Sequence, residues 1–346
     1  MKHDQNKAPT PPGANAVPTD TSNISIIVQG PCDPATPNCL SSLRRCFPGA
    51  EIILSTWKGS SVSGLDADRI VLSEDPGAVC ADEVSGVLNN VNRQLVSTQN
   101  ALPYATKPFV LKTRTDLIFF SSDFLLYFKK FDTVPSPWFK GRLLICNYFT
   151  RNPRIFHTCF HPSDWIMFGC AEDVKKYYAG IPLMDHEDAT WFYTHPKSSV
   201  FYTNYLCRYV PEQYIFLSFL KQKMPVSYDC YYSHNAAQIQ QTERLFAECF
   251  VVLDYQKQLH IGFTKYNPNR YRDAYSLLTH WQWKILYFHY CGKNRPWLWN
   301  GYLFKTSCFR FLTKARIKLI RLLELLGLKE RVKEFVSHSA KKRGNL

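Results

Sequence analysis

Short apolar runs recur through the first half of the chain, and each stops at a small, polar or acidic residue. Ile24-Ser-Ile-Ile-Val28 predicts a first strand, and its nearly continuous β-branched run implies burial on both faces, as in a parallel sheet. It ends at the sharp turn Gln29-Gly30-Pro31, either a plain turn or a ligand-lining one. Leu40, Leu43 and Phe47 share one face of a helix over Thr36 to Phe47, which Pro48-Gly49 stops. Glu51 to Trp57 and Arg69 to Leu72 read as the second and third strands. The third runs into Ser73-Glu-Asp-Pro-Gly77, so Glu74 and Asp75 sit at a strand end. This order of strand, helix, strand, strand predicts a Rossmann-like half.

The next helix covers Asn89 to Gln99, with Asn89, Asn90, Asn92, Arg93 and Gln94 crowding its start. Such residues pack poorly and hydrogen-bond well. Arg93 suits either a solvated face or a phosphate or carboxylate partner. A strand from Phe109 then runs into a polar tip carrying Lys112, Arg114 and Asp116. Three charges inside an apolar run need partners. Either Arg114 and Asp116 neutralise each other, or they face a cleft where a ligand supplies the missing charge.

Ser122 to Phe131 reads as an amphipathic helix, Gly141 to Cys146 as a strand, and Ala171 to Tyr178 as a helix opened by Glu172 and Asp173. Asp164 precedes an apolar run, and either caps it or faces a cleft. Pro211-Glu212 opens a helix through Leu220. Glu212 suits the positive helix end, or serves as a base beside a cleft.

From Tyr228 to residue 310 the chain is aromatic-rich and irregular, and is expected to pack on the first domain and shape an acceptor site. Phe311 to Val336 predicts a terminal helix with a break at Gly327. Between Lys314 and Arg343, ten basic and three acidic residues leave a net +7, half of the chain's +14. That surplus implies acidic partners. A basic amphipathic segment over 311–343 suits an anionic membrane surface. Nucleic acid is not an expected partner, because the helix has neither a reading motif nor interleaved stacking aromatics.

No apolar run reaches the ~18 residues of a membrane span, and no apolar h-region follows the N-terminus. Residues 1–23 lack periodic apolar positions and are expected to be disordered. The twelve cysteines include no CxxC pair, which points to reduced core thiols in a cytosolic chain rather than zinc or disulfides. The expected division is a tail (1–23), an α/β domain (24–227), an aromatic-rich region (228–310) and a basic helix with its tail (311–346).

Seven stretches occur in one order: Ile27-Val-Gln-Gly-Pro31, Phe47 to Trp57, Glu74-Asp-Pro-Gly77, Asn89-Asn-Val-Asn-Arg-Gln94, Leu111-Lys-Thr-Arg-Thr-Asp116, Ser163-Asp-Trp165 with Phe168-Gly169, and Pro211-Glu-Gln-Tyr214. Together they resemble the WavE family of lipopolysaccharide-synthesis proteins, over about residues 24–220. The resemblance implies a GT-A-like fold, a Rossmann-type α/β sandwich that binds a nucleotide-sugar. It implies a glycosyltransferase that moves the sugar to a lipopolysaccharide or other surface-glycan acceptor. In such enzymes an acidic motif after a central strand holds a divalent metal, Mn²⁺ or Mg²⁺, that bridges the donor diphosphate.

Here that motif is Thr113-Arg-Thr-Asp116, with one acid instead of the usual pair. Asp116 is the implied metal ligand; alternatively Arg114 or Lys112 neutralises the leaving diphosphate without metal. Gln29, Gly30, Pro31, Glu74 and Asp75 are implied to line the nucleotide pocket, with Arg93 approaching the donor or orienting Asp116. Asp164 and Glu212 are the candidate bases for the acceptor hydroxyl, Asp164 favoured. A lipid-linked acceptor implies a cytoplasmic enzyme, peripheral on the inner face of the inner membrane. Two other functions stay open. One is a non-catalytic scaffold or sugar-binding protein of the same pathway. The other is a nucleotidyltransferase, whose usual Gly- and Lys-rich phosphate loop is not evident after the first strand.

Overall fold

The computed structural model describes residues 20–82, 86–128, 130–131, 136–156, 158–196, 206–265 and 274–327. Strands β1 (Ile24–Gln29), β2 (Glu51–Trp57) and β3 (Arg69–Ser73) lie parallel, with α1 (Thr36–Cys46) between the first two. Every residue of β1 is buried, as its β-branched run requires of a central parallel strand. A small ribbon of β4 (Val79–Asp82) and β5 (Val87–Asn89) precedes α2 (Val91–Ala101). The chain then returns to the other side of β1 as β6 (Phe109–Arg114), again parallel. The carboxyl ends of β1 and β6 therefore flank a point where the chain has switched sides, and a crevice opens there.

After β7 (Leu117–Phe119), strands β8 (Leu143–Cys146), β9 (Met167–Cys170) and β10 (Phe250–Leu253) extend the sheet in the order β10-β8-β9-β6-β1-β2-β3. Only β9 runs against its neighbours. Outside this sheet, β11 (Ile261–Phe263) pairs with β7. The remaining helices are α3 (Ala171–Tyr178), the single turns α4 (His186–Ala189) and α5 (Trp191–Thr194), α6 (Pro211–Lys221), α7 (Ala236–Cys249), α8 (His280–Tyr290) and α9 (Pro296–Leu325). One apolar core runs from Ile26 and Leu54 through Phe168 to Phe246, Trp283 and Tyr302.

The N-terminal Rossmann-like half is as the pattern predicts. Four expectations need correction. The expected disordered tail overruns: Thr21–Asn23 form a turn, capped by Asp20 and tied to Pro48 O through Thr21 Oγ1. Residues 1–19 lie outside the described residues. The expected helix over Ser122 to Phe131 is only a short 3-10 segment, Asp123–Tyr127. Ser122 makes no side-chain cap, and Phe128 turns extended so that its ring meets Phe109 and Phe168 edge-on.

The span 228–310 is not irregular. It holds α7, α8 and the buried edge strand β10, which pairs with β8 inside the main sheet. Aromatics spread around α8 blur its amphipathic period, although Thr279 and Gln282 form a capping box. The terminal helix starts at Pro296, not Phe311, because Pro at a first turn is preorganised for helix. Its break at Gly327 is as expected, with φ +66°. The rest of the expected 311–346 segment, from residue 328, lies outside the described residues.

Candidate active site

A cleft of about 690 Å³ lies at the carboxyl ends of β1, β2 and β6. Of the residues singled out from sequence, Gln29, Gly30, Pro31, Asp75, Arg93, Arg114, Asp116 and Glu212 line it. Gly30 is required by its conformation and its surroundings. Its φ is +132°, and a Cβ there would sit 2.9 Å from Thr115 Oγ1. That hydroxyl donates to Pro31 O at 2.9 Å and so pins the β1 turn to the β6 turn.

Arg114 and Asp116 take both roles that the sequence left open: they pair with each other, and they face the cleft. Arg114 Nε and Nη2 donate to the two Asp116 oxygens at 2.8 and 2.7 Å. The guanidinium lies 4.2 Å from the centre of the Trp165 ring. Arg93, on the first turn of α2, makes a matching fork with Asp75, its Nε and Nη2 donating at 2.8 and 2.7 Å. This partner holds the Asp75 carboxyl below its ordinary range. At the mouth, Lys265 Nζ meets Asp33 at 2.6 Å.

Three predicted site residues lie elsewhere. Glu74 points outward and pairs with Lys58, with 81% of its side chain exposed, because the turn after β3 sends only Asp75 towards α2. Lys112 is buried beneath the cleft and donates to Asp164 O, so it does not reach a ligand. Burial pushes its ammonium down to about 8, partly offset by the nearby Asp164 charge. Asp164 is itself buried, off the cleft wall, with Oδ2 unpartnered.

Glu212 is the candidate base that reaches the cleft. Burial, reinforced by the Asp164 charge, pushes its carboxyl up to about 8. His161 Nε2 lies 4.0 Å from Glu212 Oε2. Burial and the Arg151 charge push that imidazole down to about 3, so it is neutral. Pro211 starts α6 and fixes Glu212 in the first turn, as the sequence predicts.

Sequence pattern missed Arg151, His161 and Lys265 on the cleft wall. No local motif marks them. Arg151 is placed by tertiary contacts: its N–H donates to His161 O, and Nη1 donates to Ser276 Oγ at 2.6 Å. Two residues before it, Phe149 holds φ +67°, a conformation rarely tolerated by a bulky side chain.

The cleft carries four cations, Arg93, Arg114, Arg151 and Lys265, against the carboxyls Asp75, Asp116 and Glu212. With Asp33 counted as the partner of Lys265, one positive charge is in excess when Glu212 is protonated and none when it is ionised. A resident divalent metal does not fit these residues. Both Asp116 oxygens are held by the Arg114 fork, which would also repel the ion. Among the described residues no three His, Cys, Asp or Glu side chains converge as ligands.

All described cysteines are free thiols. No helix among the described residues is long and apolar enough to cross a membrane. No curated protein matches the chain. The WavE lipopolysaccharide synthesis family model matches residues 24–317. The match thus extends past the 24–220 of the quoted stretches, through β10 and into α9. The chain belongs to the WavE lipopolysaccharide synthesis family.

Proposed function

We propose that the protein is a nucleotide-sugar-dependent glycosyltransferase of lipopolysaccharide synthesis, with its donor in the cleft and Glu212 as base. The observation that carries this reading is the cleft itself: a switch-point crevice lined by three arginines and a lysine, with one carboxyl of raised pKa. A nucleoside diphosphate is the anion such a site suits. Arginines present planar forks to phosphate oxygens and stabilise charge as it develops on the leaving group. Arg93, Arg114, Arg151 and Lys265 supply that charge here.

As the acceptor oxygen attacks the anomeric carbon, its proton passes to a Glu212 carboxylate oxygen. The bond from that carbon to the diphosphate oxygen breaks, and its electron pair leaves with the nucleoside diphosphate. A carboxylate with a pKa near the working pH is a better proton acceptor than an ordinary one. Asp164, behind the wall, acts by raising the Glu212 pKa.

The test is a thermal-shift panel of UDP-, GDP-, ADP- and CMP-sugars, paired with a turnover assay. One nucleotide at about 100 times its dissociation constant should add about 2.7 kcal/mol. Glu212→Gln should keep that shift and lose turnover. Binding without turnover by the wild-type protein would favour a sugar-binding scaffold instead, and no binding by any member would reject the donor site.

A further inference from the structure

Helix α9 is apolar on two sides. Its inner face packs Leu298, Trp299, Tyr302 and Leu303 against the core and buries Thr306 and Thr313. The two threonine hydroxyls donate back to Tyr302 O and Phe309 O of their own helix. The opposite face carries a second set of large apolar side chains. Trp297, Phe304 and Phe311 recur every seven residues, and each is more than 70% exposed. Leu312, Leu319, Leu322 and Leu326 continue the stripe, all exposed. At 3.6 residues per turn these positions fall within an arc of roughly 100°. Apolar surface of this extent on one side marks a contact surface.

The charges flank that arc. At the same helical spacing Lys305 falls on one border and Lys318, with Lys314 beyond it, on the other. None of the three has an ion-pair partner among the described residues. Their position tells what covers the stripe. Two copies packed stripe to stripe would bring unpaired lysines together, on a chain already at +14. An anionic bilayer instead takes the apolar side chains below its headgroups while the lysines reach up to them.

We propose that the outer face of α9, from Trp297 to Leu326, docks in the plane of an anionic lipid surface. The surface is set by α9 and its flanking cations, so it stands apart from the reading of the cleft. It begins about four turns before Phe311, where the sequence pattern starts the terminal segment.

The experiment is co-sedimentation of the full chain with phosphatidylcholine vesicles, with and without about 30 mol% phosphatidylglycerol. The wild-type protein should sediment with the anionic vesicles and be released at about 0.5 M salt. Replacing Lys305, Lys314 and Lys318 together by Gln should lower partitioning about a hundredfold. The triple variant Trp297→Ser, Phe304→Ser, Phe311→Ser should abolish it. Because all six side chains are exposed, both variants should keep the wild-type melting temperature.

Two outcomes overturn the proposal. One is a wild-type protein that ignores anionic vesicles, or variants that sediment as wild type does. The other is a dimer in ultracentrifugation that the serine variant dissociates while no form binds vesicles, which would assign the stripe to a second copy. A failed donor assay leaves the vesicle result standing, so the two readings fall separately.

Discussion

The cleft and the outer face of α9 use positive charge in opposite ways. In the cleft, Arg93, Arg114 and Lys265 are each held by a carboxylate, at 2.7, 2.7 and 2.6 Å. On α9, Lys305, Lys314 and Lys318 have no such partner among the described residues. A fixed guanidinium loses little freedom on binding, so it suits a small anion of defined shape. Unheld lysines suit a diffuse field of headgroups, where each adds a similar small amount. Single changes should therefore be severe in the cleft and mild on the helix.

The largest effect is expected at Glu212. Glu212→Gln removes the proton acceptor and keeps the side-chain shape, so turnover should fall about 10²- to 10⁴-fold at unchanged donor affinity. A steady-state comparison of kcat and KM checks both halves. Asp116→Ala should be the most destabilising cleft change. It leaves the partly buried Arg114 uncompensated, at a cost of about 3–5 kcal/mol by urea unfolding. Gly30→Ala forces a side chain into a left-handed conformation against Thr115, and should cost about 1–3 kcal/mol. If Gly30→Ala were neutral, the β1 and β6 turns would not be locked together as described.

The pH dependence follows from the sign of the Glu212 shift. Its folded pKa, about 8, is raised from the ordinary 4.5, so the folded state holds the proton more tightly. The associated stability is fully present below pH 4.5 and is lost as pH rises to about 8, with a slope of up to about 1.4 kcal/mol per pH unit. Glu212→Gln should remove this component of the urea midpoint's pH profile, and a wild-type slope in the variant would show that another group titrates. The smallest effect is expected on α9, where Lys318→Gln alone should weaken vesicle partitioning by less than tenfold.

How far the sequence reveals these regions depends on the range of the interactions that build them. The parallel strands β1, β2 and β6 are visible because burial on both faces demands an unbroken apolar run, and such a run is local. Their polar ends are visible for the same reason, so Gln29, Gly30, Arg114 and Asp116 stand out. Asp75 and Glu74 are adjacent and chemically alike, and only the Arg93 fork decides which one enters the cleft. Asp164 looked the better base because Glu212 had a ready explanation as a helix-start charge. Asp164 lies below the cleft wall and Glu212 on it, and depth has no local signature.

Arg151 shows the same limit. It reaches the cleft through Ser276, far along the chain, and nothing near residue 151 announces it. In the C-terminal third, β10 is four apolar residues with no alternation, which pattern alone cannot tell from any other core segment. Helix α9 shows a different limit. Its apolar residues divide between two sides, Leu298, Trp299, Tyr302 and Leu303 on the core and Trp297, Phe304 and Phe311 exposed, a division that composition alone does not show.

The central claim is that the chain's own cations bind a nucleotide-sugar diphosphate in the cleft. The most direct measurement is calorimetric titration of wild-type and Arg151→Ala protein with the four nucleotide-sugar classes, with and without EDTA. One class should bind the wild-type protein, with an affinity unchanged by EDTA and about tenfold or more weaker in Arg151→Ala, since a charge-assisted hydrogen bond contributes about 1.5–3 kcal/mol. Binding that disappears with EDTA, or that ignores Arg151, would contradict the account.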